Sequence, residues 1–301
     1  MDQKNLIEAI DYFEQAYAIK QAFALNFLLA STYLEMGENK KALDIASEAK
    51  EEYISCLDYM ELYTQILIQN NKFIDAHRII NNRILLKVKG EMNHLVSMKK
   101  KVRKIELMYQ QFEMQKINEI KAELKELRKH NYYEQLALVK KAVHLPQDDF
   151  VMIGKEILMD QDVHTLVRSW VLEEFANLRL KEEVSFIWRD QKTYKVIPVD
   201  IGGPLDSAAY QRIYLFLEKE LMNEDPILLL DLSEELRLHF ALLYPLADEI
   251  INDPHLWALS YIATYNEAYV QKYNLREKRE EVEKIQKFLY NLRFDLNEMM
   301  L

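Results

Sequence analysis

Glycine and proline are scarce in this chain, with 5 Gly and 6 Pro among 301 residues. Both residues mark turns and bends, so their scarcity predicts long, uninterrupted helices. Leu, Glu, Lys, Ala, Met and Gln, which are good helix formers, dominate much of the sequence. A chain of this length can bury most of its unfolded surface and needs no disulfide or metal for stability. These features predict a mostly α fold with one to three domains.

The composition also narrows the location and the partners. Cys56 is the only cysteine, which excludes a disulfide framework within one chain and favours a cytoplasmic protein. No stretch stays apolar for the ~18 residues that a membrane-spanning helix requires. Residues 1–5 contain no basic region followed by an apolar one, so we expect no secretory signal. The formal net charge of -10 repels nucleic acid and anionic lipid on average.

A pattern of small and apolar residues repeats within the first 85 positions. The segment from Phe23 to Ile54 is predicted to form two antiparallel helices that separate at Gly37, because glycine supplies the left-handed cap that ends a helix. The helix faces carry Leu29, Ala30 and Tyr33, then Ala42, Ala46 and Ala49. At the equivalent positions further along the chain, Tyr33 becomes Leu67, Gly37 becomes Asn71 and Ala42 becomes Ala76. Asn is the best substitute for glycine in such a cap, so the hairpin is predicted to recur.

The constant interval between these equivalent positions resembles that of the tetratricopeptide repeat, whose period is about 34 residues. Its small, apolar and aromatic signature positions match Leu29, Ala30, Tyr33, Ala42 and Ala49. The usual Trp and the closing Pro are replaced by Asn26 and Ile54. The resemblance implies an α-solenoid of helical hairpins in about the first third of the chain; a generic helical-hairpin bundle is the alternative. The remainder resembles uncharacterised bacterial proteins that contain such repeats, which implies no assigned activity.

The resemblance also implies a concave groove, lined by the first helix of each hairpin, that binds another protein or a peptide. The positions that correspond to it here are Ala24, Phe27, Ser31, Leu34, Glu35, Asp58, Glu61, Gln65, Ile68 and Gln69. The subclass that clamps a C-terminal carboxylate is not expected, because its clamp positions hold Phe27 and Ser31. An acidic, amide-bearing groove favours a basic or neutral peptide. The alternative is that the long helix of the protein itself fills the groove.

A seam of apolar residues at alternating steps of three and four predicts a helix over residues 92–128. The five-residue step between Phe112 and Ile117 leaves a kink or a short break open. We therefore predict a repeat domain at 1–90, a long connecting helix at 91–130 and a helical C-terminal domain at 131–301.

The C-terminal domain is predicted to contain one small β-hairpin near 184–199, because β-branched and aromatic residues alternate there with a period of two. Residues 167–178 are similar to the second helix of a HEAT repeat. Asp225-Pro226 and Asp253-Pro254 predict helix starts. The stripe of Trp257, Tyr261, Tyr265 and Tyr269 is more typical of a core than of a ligand box. A terminal amphipathic helix is predicted over residues 276–301.

The sequence contains no specific catalytic or metal-binding constellation. No two of the seven histidines have the one-turn spacing of a helical metal site. The loop Gly202-Gly203-Pro204 lacks the glycine spacing and the lysine of a phosphate loop. The basic cluster at residues 99–104 reads as a solvated helix face, with RNA, acidic lipid or an acidic partner as the alternatives. We predict no catalytic residue, no metal and no cofactor.

The favoured function is therefore a non-catalytic, protein- or peptide-binding adaptor or scaffold. One alternative is a regulatory receptor for a short signalling peptide, with the C-terminal domain as the output element. A weaker alternative is an enzyme with a site near the 202–204 loop. The sequence is compatible with a homo-oligomer and does not identify the partner.

Overall fold

The structure is a computed structural model that describes residues 3–265, 272–273 and 278–297. Helices make up most of the described chain, which confirms the predicted fold class. The chain divides into two compact units. Unit 1 comprises the residues up to Leu124 together with Lys140–Met152, and unit 2 comprises Lys125–Val139 and the residues from Ile153 onward. The domain boundaries near residues 90 and 130 stay a prediction.

Unit 1 is built from consecutive helices that pack against their neighbours in the chain. Its helices are α1 (Gln3–Ile19), α2 (Phe23–Glu35), α3 (Asn39–Glu48), α4 (Lys50–Ser55), α5 (Leu57–Gln69), α6 (Phe73–Leu85), α7 (Met92–Phe112) and α8 (Met114–Lys125), followed by the 3₁₀ turn Lys140–His144 and the start of α10 (Gln147–Leu158). The pairs α2–α3 and α5–α6 are the two hairpins that the repeat predicts.

The two hairpins are closed by the same backbone geometry at equivalent positions of the repeat. Gly37 (φ 77°) and Asn71 (φ 56°) both adopt the left-handed conformation, as predicted. The following amide reaches back to close the helix in each case: Glu38 N–H to Tyr33 C=O at 2.9 Å, and Lys72 N–H to Leu67 C=O at 2.9 Å. This is the Schellman closure, in which a left-handed residue satisfies the last carbonyls of a helix.

One apolar core runs through unit 1 and includes residues from Leu29 to Val102. Ala42, Ala46 and Ala76 are each 0% exposed, which fits the close helix approach that small residues permit. Helix α7 contributes to the same core and packs on α5 and α6. Helix α7 is therefore part of the core of unit 1.

The seam over residues 92–128 forms two α-helices instead of one. Helix α7 ends at Phe112, Glu113 lies outside the helical region (φ -110°, ψ 25°), and α8 begins at Met114. A 3₁₀ turn, Leu127–Lys129, follows α8. The five-residue step in the apolar seam therefore corresponds to a break, because a straight helix could not bring both halves of the seam to one face.

Unit 2 is helical apart from one hairpin. Its elements are the 3₁₀ turn Leu127–Lys129, α9 (Tyr132–Val139), the second half of α10, α11 (Thr165–Asn177), β1 (Val184–Ile187), β2 (Thr193–Val196), the 3₁₀ turns Pro198–Asp200 and Pro204–Asp206, α12 (Ala208–Leu221), α13 (Pro226–Leu243), α14 (Ala247–Ile250), α15 (Pro254–Tyr265) and α16 (Arg279–Asn297). The likeness of α11 to a HEAT-repeat helix stays a prediction.

The predicted hairpin is confirmed as an antiparallel pair. Val184 lies opposite Val196, and Phe186 lies opposite Tyr194 with ring centroids 6.0 Å apart. Gln191 makes the turn with a positive φ of 62°. Val184 and Phe186 are buried, so the alternation of side chains places one strand face in the core of unit 2.

The predicted helix starts in unit 2 are also confirmed. The Asp225 carboxylate accepts a hydrogen bond from Leu228 N–H at 3.0 Å, and Asp253 accepts one from Leu256 N–H at 3.0 Å. In the aromatic stripe Trp257 and Tyr261 are buried, whereas Tyr265 is 55% exposed. Tyr269 lies outside the described residues, as do positions 1–2 and parts of the predicted terminal helix.

No helix in the described ranges combines the length and the apolarity needed to cross a membrane.

Candidate functional site

Phe27, one of the predicted groove positions on α2, belongs to an aromatic cluster with Phe23 and Tyr59. Phe27 is half-buried, and its ring lies 5.3 Å from that of Tyr59, on α5, and 6.3 Å from that of Phe23. Ser31 donates its hydroxyl hydrogen to Leu28 C=O at 2.9 Å, so it is engaged within its own helix. Glu35 is exposed at the last position of α2.

The predicted positions of α5 are mostly accessible. Asp58, Gln65 and Gln69 are exposed, and the Glu61 carboxylate lies 3.3 Å from His94 Nε2, on α7. Ile68 is only 5% exposed and belongs to the core of unit 1, so its placement on a groove surface was wrong. Helix α5 packs on α3, α6 and α7, and Ile68 is part of the core that these helices share. The remaining groove positions stay a prediction.

A cavity in unit 1 lies at the turn ends of the two hairpins, and we call it the turn cavity. Its volume is about 700 Å³. Its lining comprises Gly37, Glu38, Asn39, Lys40, Gln69, Asn70, Asn71, Tyr109, Lys116, Ile120, Lys141 and His144. Gln69 is the one predicted groove position among them. The cavity is framed by the two Schellman closures, whose glycine and asparagine both line it.

Positive charge dominates the turn cavity. Lys40, Lys116 and Lys141 line it, against the single carboxylate of Glu38. Lys141 is paired with Glu123 at 2.5 Å, whereas Lys40 and Lys116 form no ion pair with any residue that the structure describes. The chain as a whole has a net charge of -10, so this local excess of cations runs against the average.

His144 forms part of the wall of the turn cavity. Its ring hydrogen-bonds the backbone of Asn71, and the residue is half-buried. Its pKa lies below the ordinary value of histidine, first because of burial and then because of the charges of Lys72 and Lys116. The ammonium groups of Lys72 and Lys116 therefore make the electrostatic potential at His144 more positive.

Tyr109 contributes to the wall of the turn cavity. Its ring packs on that of Phe73, with centroids 5.2 Å apart. The hydroxyl is buried and forms no hydrogen bond with another described residue, and burial raises its pKa. With Ile120 beside it, the cavity combines an apolar wall with a few polar groups, which is the usual character of a ligand site.

Sequence reasoning missed the turn cavity because its charged residues come from distant segments. Lys40, Lys116 and Lys141 lie on three different elements and meet only through the tertiary fold. The predicted caps at Gly37 and Asn71 were the one local signal for its position.

The basic cluster at residues 99–104 is partly engaged in structural contacts. Lys99 Nζ donates to Asn81 Oδ1 at 2.7 Å. Arg103 pairs with Asp148 and lies 3.5 Å from Glu106. Glu106 is fully buried and also accepts a hydrogen bond from Gln147 N–H at 3.1 Å. Part of this cluster therefore links α7 to the start of α10 within unit 1.

The 202–204 loop of unit 2 borders a smaller cavity of about 210 Å³. Gly203 N–H donates to the Asp206 carboxylate at 2.7 Å. Asp248 accepts hydrogen bonds from the Ser207 hydroxyl at 2.7 Å and from Ala209 N–H at 2.8 Å. These two carboxylates are therefore used to close turns and to cap α12. Across the described ranges, no group of His, Cys, Asp and Glu residues could hold a metal ion.

No family model matches the chain. It is similar to the TPR repeat-containing protein YsoA of Bacillus subtilis (strain 168), with 23% identity over 269 residues. The similarity covers 86% of this chain and 78% of that protein, so it extends well beyond the first 85 residues. No solved structure matches the chain.

Proposed function

We propose that this protein is a non-catalytic adaptor that binds another protein or a peptide through unit 1. The observation that carries the proposal is the recurrence of one hairpin closure at equivalent positions of the repeat, with the same two amide positions and a left-handed residue each time. Stacked hairpins of this kind expose a continuous surface made by successive first helices, and such surfaces are used for binding.

The similarity to a TPR repeat-containing protein supports the same function, because it covers most of both chains. The binding residues in the proposal are those of the groove: Phe27, Ser31, Glu35, Asp58, Glu61, Gln65 and Gln69. Asp58, Gln65 and Gln69 are exposed and therefore accessible to a partner. Their acidic and amide character favours a basic or neutral peptide segment.

The use of carboxylates near the 202–204 loop supports a function without catalysis. Asp206 and Asp248 each accept hydrogen bonds from the backbone of nearby turns or helix starts. Carboxylates that satisfy such donors serve as structural caps. The adaptor proposal requires no chemical step at this loop.

Affinity capture from a cell lysate tests the proposal. The intact protein should retain one partner at near-stoichiometric yield, identified by mass spectrometry. The double variant Asp58→Lys/Glu61→Lys should lose that partner, because it reverses the charge of the groove. Asp231→Lys/Glu234→Lys, on α13 of unit 2, makes the same change in net charge and is the matched control.

The two variants separate a groove effect from a general charge effect. Retention by the control and loss by the groove variant support the proposal. Equal retention by both variants, or no specific partner for the intact protein, contradicts it. Far-UV circular dichroism of each variant establishes that the helices remain folded.

A further inference from the structure

The turn cavity has the chemistry of an anion site. Lys40 and Lys116 have no carboxylate partner among the described residues, although the chain carries 49 acidic side chains. Cations that are not neutralised within the fold can interact with an incoming anion. Burial lowers the pKa of His144 first, and the charges of Lys72 and Lys116 lower it further, which agrees with this excess of positive charge.

The polar groups of the cavity add hydrogen-bond donors to these charges. Gln69 and Asn71 line the cavity, and the amide N–H groups of such side chains can donate to an oxygen anion. The Tyr109 hydroxyl is enclosed by the protein, so we assign it no contact with a ligand.

The size and the apolar wall indicate more than a small inorganic ion. A volume of about 700 Å³ lies within the range of about 300–1,000 Å³ that is typical of ligand sites. The Tyr109 ring and Ile120 provide a surface for the methylene groups of a side chain. An acidic residue offers both parts, since a carboxylate is joined to an apolar stem.

We propose that the turn cavity binds a carboxylate-bearing peptide segment, with the carboxylates contacting Lys40, Lys116 and Lys141 and the apolar stem lying against Tyr109. This inference rests on the proposed function of unit 1 and gives it a second contact surface. The groove and the turn cavity share only Gln69. A partner would therefore present an acidic segment at the turns and a basic or neutral segment along the groove.

Fluorescence anisotropy with a labelled acidic octapeptide, rich in Glu and Asp, tests the cavity on the full chain. A peptide with Gln and Asn in place of the acids is the control ligand. Lys116→Gln/Lys141→Gln should weaken binding of the acidic peptide about tenfold. Lys101→Gln/Lys104→Gln removes the same charge from exposed positions of α7 outside the cavity and should leave binding unchanged.

Carbodiimide cross-linking locates the bound peptide. The reagent activates a peptide carboxylate, and a lysine amine in contact then forms an amide with it. Cross-links to Lys40, Lys116 or Lys141, found by mass spectrometry, support the proposal. Cross-links spread over exposed lysines of both units overturn it, as does equal binding by the two double variants.

Three further outcomes are decisive. If inorganic phosphate or triphosphate binds in the cavity while the acidic peptide does not, the cavity is a phosphate site and the peptide assignment is wrong. If the acidic peptide does not bind but capture of the partner from lysate still depends on Asp58 and Glu61, the proposal for the turn cavity is wrong and the proposal for the groove stands. If the intact protein captures no specific partner but still binds the acidic peptide through Lys116 and Lys141, the proposal for the groove is wrong and the proposal for the turn cavity stands.

Discussion

Asn26 is fully buried in unit 1, at the position where the resemblance to tetratricopeptide repeats implies a tryptophan. Its amide nitrogen donates to Ile45 C=O at 2.7 Å and to the Tyr17 hydroxyl at 3.1 Å. Its amide oxygen accepts a hydrogen from the Tyr53 hydroxyl at 3.0 Å. A polar network with good partners therefore replaces the packing of a large ring, and it joins α1, α2, α3 and α4.

This network predicts a large effect for a small substitution. Asn26→Ala should lower the free energy of unfolding by about 2–4 kcal/mol, because the Ile45 carbonyl and the Tyr53 hydroxyl are left buried without a partner. Ser31→Ala, a control on the same helix, should change it by less than about 0.5 kcal/mol. Urea unfolding followed by far-UV circular dichroism gives both values; similar losses for the two variants would contradict the role of Asn26.

His239 is the residue at which unit 2 is expected to sense acid. It is fully buried, and its Nδ1 lies 2.8 Å from the Tyr261 hydroxyl. Burial, followed by the charges of Arg293 and Arg189, lowers its pKa to about 3. An unfolded histidine titrates near 6.5, so the unfolded state binds the proton first as the pH falls. The free energy of unfolding of unit 2 should therefore keep its full value above about pH 6.5 and decrease as the pH falls from 6.5 to 3.

A tryptophan-fluorescence titration tests this window. The three tryptophans, Trp170, Trp188 and Trp257, all lie in unit 2 and report its unfolding. The urea stability of unit 2 should fall by roughly 2–3 kcal/mol between pH 6.5 and 4.5. His239→Gln should retain a hydrogen bond to Tyr261 and show a smaller fall. His164, whose pKa is lowered to about 4, contributes in the same direction and remains in the variant. Equal slopes for the two proteins would exclude His239 as the sensor.

The turns set the geometry of the elements in unit 1. Gly37→Ala should destabilise the protein by about 1–2 kcal/mol, because a Cβ is unfavourable at a φ of 77°. Asn71→Gly should change stability by less than about 0.5 kcal/mol, since glycine adopts the same conformation readily. Thermal unfolding of the pair tests this asymmetry. A large loss for Asn71→Gly would instead indicate a contact made by the asparagine side chain.

The sequence predicted elements well where the deciding interaction is local. The caps at Gly37 and Asn71, the helix starts at Asp225 and Asp253 and the hairpin near residues 184–199 all depend on residues close in the chain. Ile68 was misplaced because its burial depends on how α5 packs on its neighbours. The break at Glu113 was left open, since a five-residue step fits either a kink or an interruption. The turn cavity was not predicted, because no local pattern unites Lys116 with the hairpin turns.

At the scale of the whole molecule, the net charge of -10 opposes the approach of an acidic peptide to the turn cavity. The repulsion comes from charges spread over the surface, whereas the attraction is local. Salt screens distant charges first, with a Debye length of about 30 Å at 0.01 M and about 10 Å at 0.1 M. The association rate of the acidic peptide should therefore rise between 0.01 and 0.1 M salt and fall at 1 M.

Stopped-flow anisotropy measures this salt dependence. Lys116→Gln/Lys141→Gln should show the same rise at low salt and a smaller fall at high salt, because the distributed charge remains while the local cations are gone. A rate for the intact protein that falls steadily from 0.01 M would mean that the cavity lysines dominate the field even at long range.

The spacing of the two helix closures also bears on how a chain like this can change in length. Because both turns use the same backbone bonds at equivalent positions, the segment 38–71 forms a module whose two ends are geometrically equivalent. Duplicating or deleting the whole module would keep every later helix on its original face. An insertion of one residue would rotate the next helix by about 100° and expose its apolar face. We therefore expect unit 1 to accept the gain or loss of a whole hairpin more readily than a single-residue insertion within a helix.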